Sequence, residues 1–252
     1  MPSTPASVPA LPRVAIVGLG AFGRFAQRLL SRHLPVVGLD LLADPAAAAS
    51  LADCPVVVLA VPFAALAGLA EAIAPHLSPG CIVVDVCSIK QRPMAVLRQR
   101  LPAHVALVAT HPLFGPHSGR DGVAGLKVAF CTPRQRPGTR IAAFLRHCLG
   151  LKVFWLTPAD HDRQMAHVQG LSHLIARALS AMDLPDLTLG TESYRHLVTM
   201  RDLLATDSPE LFRTITRDNA EAAAVIARFA AELNRLTATV LDGRGGSGPA
   251  TC

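Results

Sequence analysis

Residues 13–23 read RVAIVGLGAFG, a short apolar run that ends in three glycines with GxGxxG spacing. The apolar run is typical of a buried strand, and the stretch over 22–33 has the apolar spacing of a helix. In such a turn Gly18 permits the tight bend, Gly20 lets the backbone approach a pyrophosphate, and Gly23 lets the helix pack on the strand. The pattern predicts a dinucleotide site formed by Gly18, Leu19, Gly20, Ala21, Phe22 and Gly23.

The second predicted strand ends at an acidic residue, Asp40, 22 residues beyond Gly18. A carboxylate at this place accepts hydrogen bonds from the adenosine ribose and repels a 2′-phosphate, which favours NAD over NADP. Ala60, Val61 and Pro62 follow a central apolar strand, where an open α/β sheet admits its ligand. These residues complete the predicted NAD site, with a plain buried strand end as the alternative for the last three.

Short β-branched runs alternate with helical stretches up to residue 158. Because these runs are apolar on both faces and separated by helices, they indicate a mostly parallel sheet covered on each side. From Asp160 to Leu241 the apolar residues recur at helical spacing instead. The predicted strands cover 13–17, 35–39, 55–61, 81–86, 104–109, 126–131 and 152–156.

The predicted architecture therefore has two domains. A Rossmann-like, doubly wound α/β domain covers 13–158, and a small all-helical domain covers 159–241. A disordered leader over 1–12 and a flexible tail over 242–252 are expected to flank them.

Composition excludes several classes of protein. The 252 residues are 51% hydrophobic with a net charge of +6, and the cationic residues are scattered, so we expect no nucleic-acid partner. The six cysteines form no CxxC pair and no zinc-type spacing with histidine, which predicts no metal site and a reducing, cytoplasmic location. The amino terminus lacks the apolar segment of a signal peptide. The uncharged run over 54–70 is short and contains Pro62, so no membrane span is expected.

Two segments place polar groups just beyond predicted strands: DVCSIK at 85–90 and THPLFGPHSG at 110–119. The first contains Ser88 and Lys90, and the second contains His111 in a stretch too rich in glycine and proline to form a helix. A histidine held at such a strand end can act as a general base near neutral pH. A structural or solvated histidine is the alternative when His111 is considered alone.

Together with GLGAFG at 18–23, LAVP at 59–62 and HDRQMAHVQGLSHL at 161–174, these segments resemble the prephenate/arogenate dehydrogenases of tyrosine biosynthesis. The match covers essentially the whole chain in the family's order. The resemblance implies an NAD-dependent oxidative decarboxylation of a cyclohexadienol ring. Hydride leaves ring C4 for NAD, and the ring carboxylate departs as carbon dioxide.

The resemblance also assigns roles to three of the polar residues. His111 matches the family's catalytic histidine, which accepts the proton of the C4 hydroxyl, and Ser88 matches the serine beside it and the nicotinamide. Lys90 matches a lysine near the substrate. The family forms dimers through its helical domain, so we expect a homodimer here.

The substrates of this family contain two carboxylates, which the family holds with arginines of the helical domain. Arg195 and Arg201 are the candidates here, with a solvated helix face as the alternative interpretation. Gln169 and His173 lie four residues apart and are expected to share one helix face directed to the substrate. The His-Asp pair at 161–162 is expected to cap or brace that helix.

The choice between prephenate and arogenate depends on the side chain of the ring substrate, because the ammonium group of arogenate favours a carboxylate partner. Asp121 matches the position where plant-type relatives have Asp and prefer arogenate, although a Gly-Arg-Asp-Gly surface turn is the alternative. His117 stands where many relatives have an acid. Two other functions remain open: a dehydrogenase of 4-amino-4-deoxyprephenate, and an NAD-binding protein without catalysis.

Overall fold

The computed structural model describes residues 11–41, 43–185, 187–205 and 207–242. The chain divides into two compact units, with the boundary after His161. The boundary predicted from the sequence lies after residue 158, within the helix Pro158–Met165 that also contains the observed division. Of the predicted leader over 1–12 and tail over 242–252, residues 1–10 and 243–252 lie outside the described residues, and Asp242 is the last residue of a helix.

The amino-terminal unit alternates strands and helices. Its strands are β1 (Val14–Val17), β2 (Val36–Leu39), β3 (Val56–Leu59), β4 (Ile82–Asp85), β5 (Ala106–Pro112), β6 (Lys127–Phe130) and β7 (Lys152–Trp155). Its helices are α1 (Ala21–Leu30), α2 (Phe63–Ile73), α3 (Gln91–Arg100), α4 (Arg136–Leu149) and the start of α5 (Pro158–Met165), with 3-10 helices at Pro45–Asp53 and Ala74–His76. In the described residues the strands form one seven-stranded sheet in the order β2-β1-β3-β4-β5-β6-β7.

Apolar side chains cover both faces of this sheet. Strands β1 to β5 pair in parallel, and all four residues of β1 are buried. One core cluster forms around Leu51 and Leu66, and a second forms around Phe25 and Phe130. A parallel sheet with both faces buried needs strands that are apolar throughout, as β1 and β3 are. The predicted doubly wound α/β fold is confirmed.

Strand β5 continues beyond its pairing with β4. The pairing of the two strands ends at Asp85 and Ala109, but β5 runs on to Pro112 because it pairs antiparallel with β6. His111, opposite Ala129, therefore lies in a strand, whereas the sequence pattern predicted that the strand ends at residue 109, just before it. Local sequence signals missed this extension because β6 comes from a later part of the chain.

The described residues of the carboxy-terminal unit form helices joined by turns and contain no strand, as predicted. It contains the end of α5, then α6 (Ser172–Ala181), α7 (Glu192–Leu204), α8 (Pro209–Arg213) and α9 (Ala222–Asp242), with π-helices at Ala166–Leu171 and Thr214–Asp218. Buried Asn219 joins two of these segments: Nδ2 donates to the Asp162 carbonyl at 2.8 Å, and Oδ1 accepts from the Glu221 amide at 3.0 Å. No helix in the described ranges is long and apolar enough to cross a membrane.

Candidate active site

The turn between β1 and α1, and the first turn of α1, each accept only glycine at one position. Gly18 has φ +98° in the left-handed region, and a Cβ there would lie 2.6 Å from the Ala60 carbonyl oxygen. A Cβ on Gly23 would lie 1.8 Å from the Gly18 carbonyl oxygen. Gly18 therefore lets the turn pass against the end of β3, and Gly23 lets α1 begin directly over that turn.

Gly20 is not constrained by neighbouring protein atoms, because nothing lies within 4 Å of a Cβ built on it. It is the residue that precedes α1, and no side chain caps this helix start. The first N–H groups of a helix have no partners within the helix, so this start offers donors to a phosphate. Asp40, exposed, directly follows β2. Open space above Gly20, phosphate donors and a carboxylate after β2 together fit an NAD molecule.

Replacing Gly20 with alanine is expected to raise the Kd for NADH roughly tenfold without changing the thermal midpoint, because the new methyl group enters space left for the pyrophosphate. Fluorescence titration with NADH measures the Kd. Gly68→Ala in α2 is the matched control, since nothing lies within 4 Å of a Cβ at that position either. Equal NADH affinity in the Gly20 and Gly68 variants would show that Gly20 does not line the NAD site.

A buried ion pair joins the ends of β4 and β5. The fully buried Lys90 ammonium pairs with Asp85 and donates to the Thr110 carbonyl oxygen at 2.6 Å. The Thr110 hydroxyl donates to the Asp85 carbonyl at 2.9 Å, and the Cys87 amide donates to the Asp85 carboxylate at 3.0 Å. These contacts of Lys90 are with protein groups, whereas the resemblance placed it near the substrate. Ser88, partly buried, lies in the loop that this network holds.

His111 is 3% exposed, and its Nδ1 lies 2.9 Å from Nε2 of His161, which is fully buried. Burial, and then the charges of His161 and Lys90, hold the pKa of His111 well below the ordinary histidine value of 6.5. The side chain is therefore a neutral imidazole at physiological pH, with a ring nitrogen available to accept a proton. Sequence reasoning placed His161 as a helix brace, and no local signal indicated its contact with His111.

His117 and Asp121 lie in the exposed segment after β5. The Asp121 carboxylate accepts from Nε of Arg120 at 3.2 Å, and its side chain is 88% exposed. The segment rests on α1, because the rings of Phe114 and Phe25 meet edge to face with centroids 6.3 Å apart. Both candidate selectivity residues are therefore accessible to a ligand from solvent.

The candidate residues of the helical unit have separate surroundings. Gln169 lies in a π-helix, and its side-chain oxygen is buried with no hydrogen-bond partner among the described residues. His173 lies 3.5 Å from the Asp207 carboxylate beside a cavity of about 140 Å³, which Arg177 also lines. Burial lowers the pKa of His173 more strongly than Asp207 raises it. An orphaned acceptor such as that of Gln169 is the kind of group that a ligand donor satisfies.

The two arginine candidates lie on α7. Arg195 forms an exposed ion pair with Glu192. Arg201 is less exposed: Nε donates to Asp202 at 2.8 Å and Nη1 donates to the Leu184 carbonyl at 3.1 Å. Six positions in a helix of 3.6 residues per turn place the two side chains on different faces. They are therefore not arranged to grip one carboxylate together.

The glycine turn, the uncapped helix start and a buried neutral histidine define a dinucleotide-binding dehydrogenase fold that is followed by a helical unit. Two family models match the chain: "Prephenate dehydrogenase, nucleotide-binding domain" over 36–134 and "Prephenate dehydrogenase, dimerization domain" over 157–247. The chain belongs to the prephenate dehydrogenase family, as the motifs predicted. No cluster of three or more His, Cys, Asp or Glu side chains within the described residues could hold a metal ion.

Individual relatives agree with this assignment. The T-protein of Enterobacter agglomerans is 29% identical over 230 residues, which cover 86% of this chain and 59% of that protein. The 4-amino-4-deoxyprephenate dehydrogenase of Streptomyces pristinaespiralis is 29% identical over 256 residues, covering 91% and 85%.

A solved structure shares the fold. The crystal structure of prephenate dehydrogenase from A. aeolicus with hydroxyphenyl propionate and NAD+ aligns with TM-score 0.72 at 20% identity, covering 96% of this chain and 94% of that one. The chain spans 59%, 28% and 25% of the length of three curated relatives that it matches.

Proposed function

We propose that this protein oxidatively decarboxylates arogenate or prephenate with NAD, giving tyrosine or 4-hydroxyphenylpyruvate. The observation that supports this best is the buried, neutral His111 at the end of β5, next to the strand end that leads to Ser88. When bound, NAD accepts the hydride that leaves ring C4. The C4 hydroxyl proton passes to His111, and the C–C bond to the ring carboxylate breaks to release carbon dioxide.

The role of His111 is to accept one proton at the moment when the ring becomes aromatic. A neutral imidazole has one lone pair for this purpose, and burial keeps it from being protonated in advance. Ser88, in the neighbouring loop, would hydrogen-bond the same hydroxyl and orient it toward His111. Lys90 would act indirectly, because its ammonium is committed to Asp85 and the Thr110 carbonyl. We assign Lys90 the role of holding the strand ends that position Ser88 and His111.

The substrate carboxylates would be held by residues of the helical unit. A guanidinium binds a carboxylate with two parallel hydrogen bonds, so Arg195 and Arg201 remain the candidates. Because they lie on different faces of α7, each would serve a different carboxylate or only one of them would serve the substrate. Gln169 and His173 would supply further hydrogen bonds. Asp121 would pair with the ammonium of arogenate, and His117 would influence the same choice of side chain.

Turnover with several rings tests the proposal. NADH formation is measured by absorbance with arogenate, prephenate and 4-amino-4-deoxyprephenate in parallel, and the series is repeated with NADP. NAD-dependent turnover of arogenate or prephenate is the expected result, and their ratio identifies the preferred side chain. Binding of NADH without turnover of any ring would instead indicate a protein that binds the cofactor without catalysis.

The runner-up function is oxidation of 4-amino-4-deoxyprephenate, in which an amine replaces the C4 hydroxyl. The relative from Streptomyces pristinaespiralis supports this possibility, because the match covers most of both chains. The histidine at position 117, where many relatives have an acid, would then be an adaptation to the amine on the ring. Turnover of this amine alone in the parallel series would establish the runner-up and remove the leading proposal.

Asp40 would determine the choice of cofactor. Replacing Asp40 with serine removes the charge that opposes a 2′-phosphate, so the ratio of kcat/KM for NADP to that for NAD is expected to rise roughly tenfold. Steady-state kinetics with both cofactors measures this ratio. Asp44→Ser is the control, because it removes the same charge four residues along, where Asp44 accepts from the Ala46 amide. An unchanged ratio in the Asp40 variant would contradict the role.

A homodimer is proposed to form through the helical unit, in accord with the matching dimerization-domain model. On α9, Leu233, Leu236 and Val240 are between 48% and 63% exposed and recur at intervals of three and four residues. Such spacing forms one apolar face, which a second copy would cover. Five cysteines in the described ranges have free thiols, which supports a reducing location such as the cytoplasm.

Leu236→Glu is expected to weaken self-association at least roughly tenfold, because it places a charge in the centre of this apolar face. Sedimentation equilibrium measures the dissociation constant. Leu189→Glu serves as the control, since Leu189 is 92% exposed in the same unit but lies outside α9. A dimer of equal strength in both variants would place the interface elsewhere.

A further inference from the structure

The contact between His111 and His161 joins the end of β5 to α5 within the amino-terminal unit. His111 Nδ1 and His161 Nε2 lie 2.9 Å apart, with ring centroids 5.1 Å apart and the ring planes inclined by 66°. Both side chains are buried, at 3% and 0% exposure. This is hydrogen-bond geometry in a place where neither nitrogen can exchange its partner for bulk water.

When both imidazoles are neutral, they can share this bond in only two ways, and a protonated His161 could form only the first of them. If His161 donates from Nε2, His111 Nδ1 is the acceptor and its own proton lies on Nε2, where it blocks proton uptake. If His111 donates from Nδ1, its Nε2 presents a lone pair, and His161 must carry its proton on Nδ1. Only the second arrangement leaves His111 able to accept the substrate proton.

We propose that His161 is a positioning residue that accepts a hydrogen bond from His111 Nδ1–H and thereby keeps the His111 Nε2 lone pair available to the substrate hydroxyl. This inference rests on the proposed function for its catalytic consequence, but the tautomer itself is a property of the protein alone. His161 contacts His111 and acts through it, so it is distinct from the proton acceptor.

The partner of Nδ1 in this pair is an imidazole, whereas hydrolytic triads use a carboxylate there. A carboxylate stabilises the imidazolium and makes the histidine a stronger base, and a neutral imidazole does so much less. Lys90 adds a positive charge on the β4 side, partly balanced by its partner Asp85, whose carboxylate also accepts from the Cys87 amide. The arrangement therefore favours a weak base that stays unprotonated, which suffices because aromatisation drives the reaction.

Nitrogen NMR tests the tautomer without any turnover. In protein with ¹⁵N-labelled histidine, the ring nitrogen with a lone pair resonates far downfield of the N–H nitrogen, so the two tautomers differ clearly. The His111 signals are assigned by their loss in His111→Asn. We expect the proton on Nδ1 and the lone pair on Nε2. A proton on His111 Nε2 in the unaltered protein would overturn the proposal.

Substitutions at His161 test the consequence for catalysis. His161→Leu removes the acceptor, and kcat is expected to fall on the order of 10²-fold with little change in KM. His161→Gln retains an acceptor oxygen, so its kcat should be at least roughly tenfold higher than that of His161→Leu. His161→Asp should move the acid limb of the kcat/KM profile to higher pH by about one unit, because a carboxylate stabilises the His111 imidazolium.

The matched control is His104→Gln, since His104 Nε2 contacts the Leu77 carbonyl at 3.0 Å and takes no part in this pair. It should leave kcat and the pH profile unchanged. Equal kcat in His161→Leu and the unaltered protein, or an acid limb that does not move in His161→Asp, would contradict the proposal.

A folding defect in a His161 variant would appear as loss of NADH binding. In that case the proposal is decided by the His111 tautomer that NMR finds in the unaltered protein. If NMR finds the Nδ1–H tautomer and none of the rings is turned over, the proposed function fails while this inference stands.

Discussion

Replacing His111 with asparagine is expected to lower kcat/KM for the ring substrate by on the order of 10²–10⁴-fold, the usual contribution of a positioned general base. The amide occupies a similar volume but cannot take up the C4 hydroxyl proton, so the proton must pass to water as the ring becomes aromatic. Binding of NADH should not change, because His111 lies in β5 and the glycine turn follows β1. Steady-state kinetics and fluorescence titration measure the two effects.

His104→Asn is the matched control, because His104 lies near the opposite end of the same strand and its Nε2 contacts the Leu77 carbonyl. It should retain full activity. A His111→Asn protein that keeps kcat/KM within tenfold of the unaltered value would show that another group accepts the proton.

The low pKa of His111 also predicts a direction for the pH dependence of stability. The folded protein holds the pKa well below 6.5, so the unfolded chain binds a proton there at a higher pH than the native state does. The contribution of His111 is therefore complete above pH 6.5 and is lost as the pH falls below that value toward the folded pKa. Urea unfolding across this range should show a weaker acid dependence in His111→Asn.

Lys90→Met is expected to destabilise the protein by about 3–5 kcal/mol, the usual result of removing one partner from a buried ion pair. The substitution leaves the Asp85 carboxylate in the protein interior without its cation, and the Thr110 carbonyl loses a donor at 2.6 Å. Catalysis should suffer as well, because the same contacts hold the loop of Ser88 and the strand of His111. Urea denaturation measures the free energy of unfolding.

Lys152→Met provides the matched control, since Lys152 is an exposed lysine on β7 and its loss should change the stability by less than about 0.5 kcal/mol. The double variant Lys90→Met, Asp85→Asn removes the unpaired charge while retaining an acceptor for the Cys87 amide, and should recover much of the lost stability. Equal unfolding midpoints for Lys90→Met and Lys152→Met would show that the buried pair contributes little.

Much of the fold could be predicted from the sequence because its signals are local. The GxGxxG turn between an apolar run and a helix, the strands that are apolar on both faces, and the change to helical spacing after residue 158 all depend on near neighbours in the chain. The predicted positions of the strand ends were less accurate. The extension of β5 to Pro112 depends on pairing with β6, which no local pattern near His111 reports.

Residue types at the candidate site were also evident from the sequence, but their partners were not. The sequence by itself determined the nucleotide-binding turn, the family, the presence of Ser88 and Lys90 just beyond β4, and the presence of His111 near the end of β5. Only the tertiary structure decided that Lys90 is committed to Asp85 and to Thr110, 20 residues away, and that His111 meets His161, 50 residues away. Burial and hydrogen-bond partners arise when distant segments pack together, and these partners determine which nitrogen of a histidine has the free lone pair.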